Sequence, residues 1–236
     1  MQRRKKTKRP LCASTAAVNE NASIIYDPSL LTDQSKSTKF QSMARPREFD
    51  RDAAVELAML VFWRKGYAAT STDDLLCAMN IGRQSMYDTF GDKHRLYLEA
   101  LEKYQRESVA ENIRRLRSTA SPLAGIEAFV IGIIASDKSV REKGCMGVGS
   151  ICEFGNTDTD LVALRAKSGG AQHRALIERL RHAQAANEIG ANVDIERAAR
   201  FVETTMFGLQ VTAKAGASLQ SLRDTAAFAI ASLRKL

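Results

Sequence analysis

Apolar residues recur at the spacing of one helix face along almost the whole chain from Asp50 onward. Ala54, Ala58, Val61 and Phe62, for example, fall at positions i, i+4, i+7 and i+8, which places them on a single stripe. Alternating strand-like runs bounded by turn signals are absent. A chain with this pattern must bury helix against helix, and we therefore predict an all-α fold.

Capping signals indicate the ends of the first four helices. Glycine and asparagine tolerate the left-handed backbone that ends a helix, and Ser, Thr and Asp accept hydrogen bonds from the free N–H groups that begin one. The predicted bounds are a first helix that ends at Gly66, a second that follows Thr70-Ser71-Thr72 and ends at Asn80, a third from about Arg83 to Phe90 and a fourth from Gly91-Asp92 to about Arg117.

Five further segments are predicted to be helical: Ser121-Pro122 to about Ser136, Cys145 to Phe154, Asp160 to Ala186, Asp194 to about Lys214 and Ser218 to about Arg234. We expect Gly169-Gly170 to kink or split the third of these, because each interior glycine costs about 1 kcal/mol relative to alanine. The last two helices are the candidate dimer interface, since both are long and carry apolar stripes. In the final helix the stripe comprises Leu219, Leu222, Ala226, Ile230 and Leu233.

The turn at Asn80-Ile81-Gly82 joins two short helices and is the strongest local signal in the chain. Two helices joined in this way form a helix-turn-helix, whose second helix lies in the major groove of DNA. The outward face of that second helix carries Arg83, Gln84, Asp88 and Thr89. Arginine and glutamine are the residue types that make bidentate hydrogen bonds to guanine and adenine edges, respectively.

Two neighbouring side chains suit the phosphate backbone of DNA. Tyr87 has a hydroxyl at the end of a rigid ring. Lys93 lies in the first turn of the fourth helix, where free N–H groups already favour an anion. The alternatives to DNA contact are core packing for Tyr87 and a solvated surface position for Arg83 and Gln84.

The segment 70–93, TSTDDLLCAMNIGRQSMYDTFGDK, resembles the DNA-binding signature of the tetracycline-repressor (TetR) family. The preceding segment 62–67, FWRKGY, is similar to the end of that family's first helix. A weaker resemblance to one branch of the family continues at Gly144-Cys145-Met146. The chain departs from the family's pattern at Gly82, where a capping serine is usual, and at Asn80, where glycine is usual.

The resemblance implies an all-α homodimer in which each chain has a three-helix head with a helix-turn-helix and a helical C-terminal body for ligand binding and dimerisation. A small molecule bound in the body of such proteins shifts the fourth helix and releases the operator. By position, the resemblance implies phosphate contacts for Thr72, Tyr87 and Lys93, and base contacts for Arg83, Gln84 and Thr89.

Most of the chain's net charge of +8 belongs to a leader, residues 1–42, which has eight basic and three acidic residues. This leader has the composition of a disordered segment, and it is either a solvated tail or an additional contact to nucleic acid. The predicted DNA-binding domain, residues 43–93, has seven basic and eight acidic residues. DNA binding must therefore use a polarised face, with help from Arg45 and Arg47 ahead of the first helix. Residues 94–236 form the predicted ligand-binding and dimerisation domain.

An effector pocket is expected among the middle helices, with a mostly apolar lining. The candidate lining residues, each of which could equally be plain core, are Phe129, Ile133, Met146, Phe154, Phe201, Met206 and Phe207. No cofactor or metal is predicted. Cys145 and Cys152, seven residues apart, would lie about 10.5 Å apart along a shared helix, too far for a disulfide or a common metal.

Neither a membrane span, a secretory signal nor a catalytic motif is recognised. We therefore predict a cytoplasmic protein that is not an enzyme. The predicted function is a ligand-responsive transcriptional regulator, a repressor that binds a palindromic double-stranded DNA operator as a homodimer. The rival hypothesis is a helical small-molecule-binding or interaction module without DNA binding, which the acidic balance of the head favours.

Overall fold

The computed structural model describes residues 49–235, and all regular elements in that range are α-helices. They are α1 (Arg51–Lys65), α2 (Thr72–Met79), α3 (Arg83–Phe90), α4 (Lys93–Leu116), α5 (Pro122–Gly132), α6 (Lys138–Arg141), α7 (Met146–Phe154), α8 (Thr159–Ala185), α9 (Ile195–Lys214) and α10 (Leu219–Lys235). The predicted all-α fold is confirmed. The predicted leader, and with it Arg45 and Arg47, lies outside the described residues.

Local capping positions α2 and α3. The Ser71 side chain accepts a hydrogen bond from the Asp74 backbone N–H, and the Asp74 carboxylate accepts one from the Ser71 N–H at 2.9 Å. This reciprocal pair closes a capping box at the start of α2. Asn80 ends α2 in the left-handed conformation, with φ 51°, as predicted. Helix α3 begins at the predicted residue although Gly82 supplies no side-chain cap.

Helix α4 connects the head to the rest of the fold. Its first half packs on α1 through the fully buried Leu96, Ala100 and Leu101. Its C-terminal part contacts α5 and α8. One ion pair adds to the contact with α1, because the Arg51 guanidinium donates to both carboxylate oxygens of Glu99 at 2.7 and 2.8 Å. A single long helix thus belongs to both the head and the body.

The core of the body lies between α4, α5, α8, α9 and α10. It is built from fully buried aliphatic and aromatic side chains, of which Ile126, Phe129, Leu176, Leu180 and Ala226 have no measurable exposure. Burial of apolar surface on this scale is the main stabilising contribution to such a fold.

Two predictions about the middle helices, a split at Gly169-Gly170 and a helix end near Ser136, are wrong. Gly169-Gly170 does not split the segment, because α8 continues unbroken through both glycines. Leu161 lies buried before the glycines and Leu176 after them, and this packing outweighs the glycines' low helix propensity. The helix that begins at Pro122 ends at Gly132 instead of Ser136, and the short α6 follows it.

The apolar stripe of α10 faces the core of its own chain. Leu222, Ala226, Ile230 and Leu233 are all at most 4% exposed and pack within the body cluster, with Leu219 partly buried against it. These side chains are therefore unavailable to a second subunit. Any dimer contact made by α9 and α10 must use their other faces, which carry exposed apolar residues of their own.

Candidate nucleic-acid interface and ligand cavity

Helix α3 turns one side into the head and leaves the other exposed. Met86 and Phe90 are at most 3% exposed and pack against the head, where Leu75 of α2 is also buried. Arg83 and Gln84 lie on the exposed side, and Tyr87 is 41% exposed. Tyr87 is therefore not packed in the core. Thr72 and Thr89 are half-buried at the edges of the same surface.

Two of the three candidate base-reading side chains are each held by a carboxylate of their own chain. The Arg83 guanidinium lies 2.6 Å from Asp73 Oδ1, and the Gln84 amide donates to Asp88 Oδ1 at 2.7 Å. These pairs are exposed, so their contribution to stability is small. Their effect is to orient the two side chains before DNA arrives and to place negative charge beside them.

Lys93 extends over an aromatic ring at the start of α4. Its Nζ lies 4.1 Å from the centroid of the Tyr67 ring, a cation–π distance. Partial burial lowers the pKa of Lys93, an effect that Glu153 and Asp74 oppose. The pKa of Tyr67 is raised, first by its own burial and then by Asp92 and Asp158.

A carboxylate from the body hydrogen-bonds to the loop that follows α1. Glu153, at the end of α7, accepts hydrogen bonds from the backbone N–H groups of Tyr67 at 2.9 and 3.1 Å and of Ala68 at 3.0 Å. Glycine suits position 66, since φ is 80° there and a Cβ would displace the Glu153 carboxylate from these amides. This contact is not predictable from the sequence, because no local pattern relates residues 85 or more positions apart.

Two more contacts join the head to the body. The indole N–H of Trp63 in α1 donates to the Gly144 carbonyl at 2.8 Å, directly before α7. His94 Nε2, in the first turn of α4, lies 2.6 Å from Asp158 Oδ2, which caps α8. The pKa of Asp158 is lowered, chiefly by the Leu161 backbone N–H and also by His94. The head is therefore hydrogen-bonded to both α7 and α8.

The body contains a cavity of about 390 Å³ between α4, α5, α7, α8 and α9. Ile133, Met206 and Phe207 of the predicted lining set contact it. The other four lie elsewhere: Phe129 and Met146 are buried in the core, Phe154 packs on Tyr67 and Tyr97, and Phe201 is exposed on α9.

Polar lining residues that the sequence analysis did not single out stand beside these apolar ones. They are supplied mainly by α4 and α8: Gln105, Ser108, Asn112 and Arg115 from α4, and Arg165, Ser168 and Gln172 from α8. Cys145 also contacts the cavity, next to the phenol of Tyr104, whose pKa is raised chiefly by burial and further by the thiol. The sequence spacing could have indicated that the polar residues of α4 share one helix face, and likewise those of α8. It could not have indicated that these two faces meet at one cavity.

The arrangement of α2, the turn and α3 is that of a helix-turn-helix DNA-binding protein. Residues 53–100 match the family described as bacterial regulatory proteins, tetR family. The chain is 32% identical over 202 residues to the HTH-type transcriptional repressor ComR of Escherichia coli (strain K12), covering 84% of this chain and 94% of that protein. It is also 32% identical to the uncharacterized HTH-type transcriptional regulator YezE of Bacillus subtilis (strain 168), covering 77% of this chain and 95% of that one.

A solved structure agrees with these relatives. A cysteine-substituted variant of the TetR family transcriptional regulator CifR, complexed with 26 bp of double-strand operator DNA, superimposes with a TM-score of 0.69 at 31% identity, over 80% of this chain and 99% of that one. The chain belongs to the TetR family. The predicted family, the helical head-and-body fold and the role of transcriptional regulator are confirmed.

Within the part of the chain that the structure describes, no helix is both long and apolar enough to cross a bilayer. In the same range, His, Cys, Asp and Glu side chains do not gather in groups of three that could hold a metal ion.

Proposed function

We propose that this protein is a repressor that binds a palindromic operator as a homodimer and releases it when a small molecule occupies the body cavity. The observation that carries the proposal is the exposed face of α3, held on a buried helix-turn-helix core and carrying Arg83, Gln84 and Tyr87. The repressor name of ComR and the operator complex of CifR support it. On this proposal residues 43–93 are the DNA-binding domain and 94–236 the effector and dimerisation domain, in a cytoplasmic protein without enzymatic activity.

Each candidate DNA contact has a distinct role. Arg83, Gln84 and Thr89 read base edges, where bidentate hydrogen bonds give specificity. The phosphate contacts come from Thr72, Tyr87 and Lys93, with Arg45 and Arg47 added ahead of α1. Lys93 reaches a phosphate by leaving the Tyr67 ring, a small rearrangement of one side chain.

The outer faces of α9 and α10 are the proposed dimer interface. Phe228 is 76% exposed, Val211 is 48% exposed and Phe201 is 41% exposed. Large apolar side chains exposed together mark an interaction surface. At Gly208 a Cβ would meet nothing within 4 Å, so the chain itself leaves room for a second backbone to approach. Two copies of these helices form a four-helix bundle about a two-fold axis.

Helix α7 is the proposed link between the cavity and the head. Gly147, Val148 and Ile151 of α7 line the cavity, and Glu153 at its end holds the loop after α1. A ligand that displaces α7 therefore acts on the Glu153 hydrogen bonds and changes the orientation of the head. Coupling of this kind requires that the ligand favour one of the two arrangements.

The experiment is a gel shift with duplex DNA flanking the protein's own gene, at low salt. The wild-type chain is expected to shift this DNA, and Arg83→Ala to lower the affinity by about 10- to 100-fold, the usual effect of a lost bidentate base contact. Tyr87→Ala is expected to weaken binding uniformly across sequences. Arg181→Ala, an exposed arginine on α8, is the matched control and should bind as the wild type does.

One observation favours the rival function, a binding module without DNA recognition. Asp73 and Asp88 hydrogen-bond to Arg83 and Gln84, two of the candidate base-reading side chains, and their charges would repel phosphates. If the wild-type chain shifts no duplex DNA even at low salt, the rival is favoured and the proposal of operator binding and release is wrong.

A further inference from the structure

The cavity in the body is lined by both apolar and polar side chains. Ile133, Met206 and Phe207 are among the apolar ones. Most of the polar ones come from α4 and α8, and some of these are joined by hydrogen bonds across the two helices. Ser168 donates to Gln105 Oε1 at 2.8 Å, and Asn112 Nδ2 donates to Gln172 Oε1 at 2.8 Å. A molecule that fills such a cavity must itself carry both apolar and polar groups.

Gln105 presents unused hydrogen-bonding capacity to this space. Its side chain lines the cavity in a residue that is only 8% exposed. Ser168 engages one amide atom, and the described residues supply no hydrogen-bond partner for the amide nitrogen. Because this N–H group is free to donate, a ligand atom that accepts from it gains affinity.

The charges of the lining decide which ligand chemistry fits. Arg165 and Arg141 donate to backbone carbonyls, of Gly155 and of Ala135 and Ser136 respectively, and within residues 49–235 neither has a carboxylate within 4.0 Å. By contrast, Arg115 is paired with Glu111 at 3.0 Å. Arg165 and Arg141 therefore bring positive charge to the lining that no carboxylate pairs with at this distance.

The carboxylates that line the cavity are already engaged. Glu111 is held by Arg114 and Arg115, and this contact lowers its pKa. Glu203 Oε1 lies 3.0 Å from His173 Nδ1. Neither carboxylate contacts Arg165 or Arg141. An anionic group supplied by the ligand is therefore the missing partner.

We propose that the effector is an amphipathic organic acid, whose carboxylate pairs with Arg165 and accepts from Gln105 while its apolar body lies against Met206 and Phe207. Arg165 is the main anchor because it lines the cavity and precedes Ser168, the partner of Gln105, by three residues on the same face of α8. Arg141 adds positive potential from α6. This inference rests on the proposed function, in that it takes the cavity to be the effector site.

The test compares acids with the neutral amides of the same carbon skeletons, using the full chain. Octanoate, decanoate, 3-phenylpropionate and indole-3-acetate are each titrated by calorimetry beside octanamide, decanamide, 3-phenylpropanamide and indole-3-acetamide. We expect the acid of at least one pair to bind about tenfold or more tightly than its amide, as a charge-assisted pair requires. Equal affinity within every pair, or binding of no acid, overturns the proposal.

Two variants separate the anchor from general charge effects. Arg165→Gln is expected to lower the affinity for the acid by about tenfold and to leave that for the amide unchanged, because only the acid gains from the charge. Arg181→Gln, on the same helix and outside the cavity lining, is the matched control and should bind the acid normally. The melting temperature of each variant verifies that it folds, and an unchanged acid affinity in folded Arg165→Gln contradicts the assignment.

Failure of this inference is distinguishable from failure of the regulator function. A chain that shifts operator DNA but binds no acid leaves the regulator in place and removes the organic acid as its effector class. A chain that binds an acid but shifts no DNA keeps the organic acid as the ligand of the cavity and removes operator binding. If both hold, adding the acid to the gel shift is expected to release the DNA.

Discussion

The two exposed surfaces that are proposed to bind partners are built in opposite ways. The outward face of α3 is polar, and its Arg83 and Gln84 are pre-oriented by carboxylates. The outer faces of α9 and α10 are apolar, with Phe228 and Val211 largely exposed. A polyanion is bound through charges and counterion release, whereas a second protein is bound through apolar burial. Raised salt should therefore weaken the first contact far more than the second.

The apolar surface is expected to give the largest mutational effect. Phe228→Asp places a charge where two copies of α10 would meet, so the protein should become monomeric. Operator affinity should then fall by about 100-fold or more, because a palindrome is read by two heads at fixed spacing. Sedimentation velocity measures the mass and a gel shift measures the affinity.

A matched variant tests whether the effect belongs to this face. Leu57→Asp changes an apolar residue of α1 that is 41% exposed, and the mass of the particle should stay that of the wild type. A Phe228→Asp protein that remains a dimer would show that the subunits meet elsewhere. Leu222→Glu should behave differently from both, since it charges a residue that is 1% exposed and lowers the melting temperature of the chain itself.

Loss of the hydrogen bonds between Glu153 of α7 and the loop after α1 is expected to give the next largest effect. Glu153→Ala removes the acceptor of the Tyr67 and Ala68 amides. Both amides should exchange with solvent about tenfold faster or more, because protection in a loop depends on such bonds. Amide hydrogen exchange followed by NMR provides the measurement, and operator affinity should change with it.

A second variant at this position controls for the loss of the side chain itself. Glu153→Gln keeps one carbonyl oxygen as acceptor, so it should show an intermediate effect. Unchanged exchange at Tyr67 and Ala68 in the alanine variant would mean that the loop is held by other contacts, such as the packing of Tyr67 on Phe154.

The structure of the head could be predicted from the sequence more fully than that of the body. The ends of α2 and α3 follow from signals within a few residues, such as Ser71, Asn80 and Gly91, and their positions were predictable. In the body, the burial of α10 against its own chain and the continuity of α8 through Gly169-Gly170 depend on partners distant in sequence. Long-range packing overrides local propensity, and one chain's sequence shows only the propensity.

The same limit applied to the candidate sites. Arg83 and Gln84 could be identified because their surroundings form one contiguous motif. Glu153 and Gln105 could not, since each gains its role from a residue 60 or more positions away. Cavity residues were expected to be apolar. The polar lining residues of α4 and α8 were not predicted, because in the sequence they look like ordinary solvated helix positions.

The role of charge on the polar surface of α3 can be tested by removing one of its negative charges. Asp73→Asn takes away a carboxylate beside Arg83, so repulsion of phosphate falls and Arg83 is released for base contact. Operator affinity is expected to rise by a few-fold, roughly the effect of one exposed charge at moderate salt. Fluorescence anisotropy with labelled operator measures it, and Glu178→Gln on α8 controls for the change in net charge. A loss of affinity would mean that orientation of Arg83 by Asp73 matters more than repulsion.

The smallest expected effect is the pH dependence of the head, through Asp74. Hydrogen bonds from Lys65, and then from the backbone and side chain of Ser71, lower the pKa of Asp74 from 3.8 to about 2. A carboxylate with a depressed pKa in the folded state stabilises the fold above its unfolded pKa, and this contribution is lost as the pH falls through the folded value. Denaturant unfolding of the wild type and of Asp74→Asn should therefore differ most above pH 4 and converge as the pH approaches 2. The side chain is 31% exposed, so solvent screening keeps the difference small. A difference that stays constant across that range would mean that the capping carboxylate contributes through its shape and not through its charge.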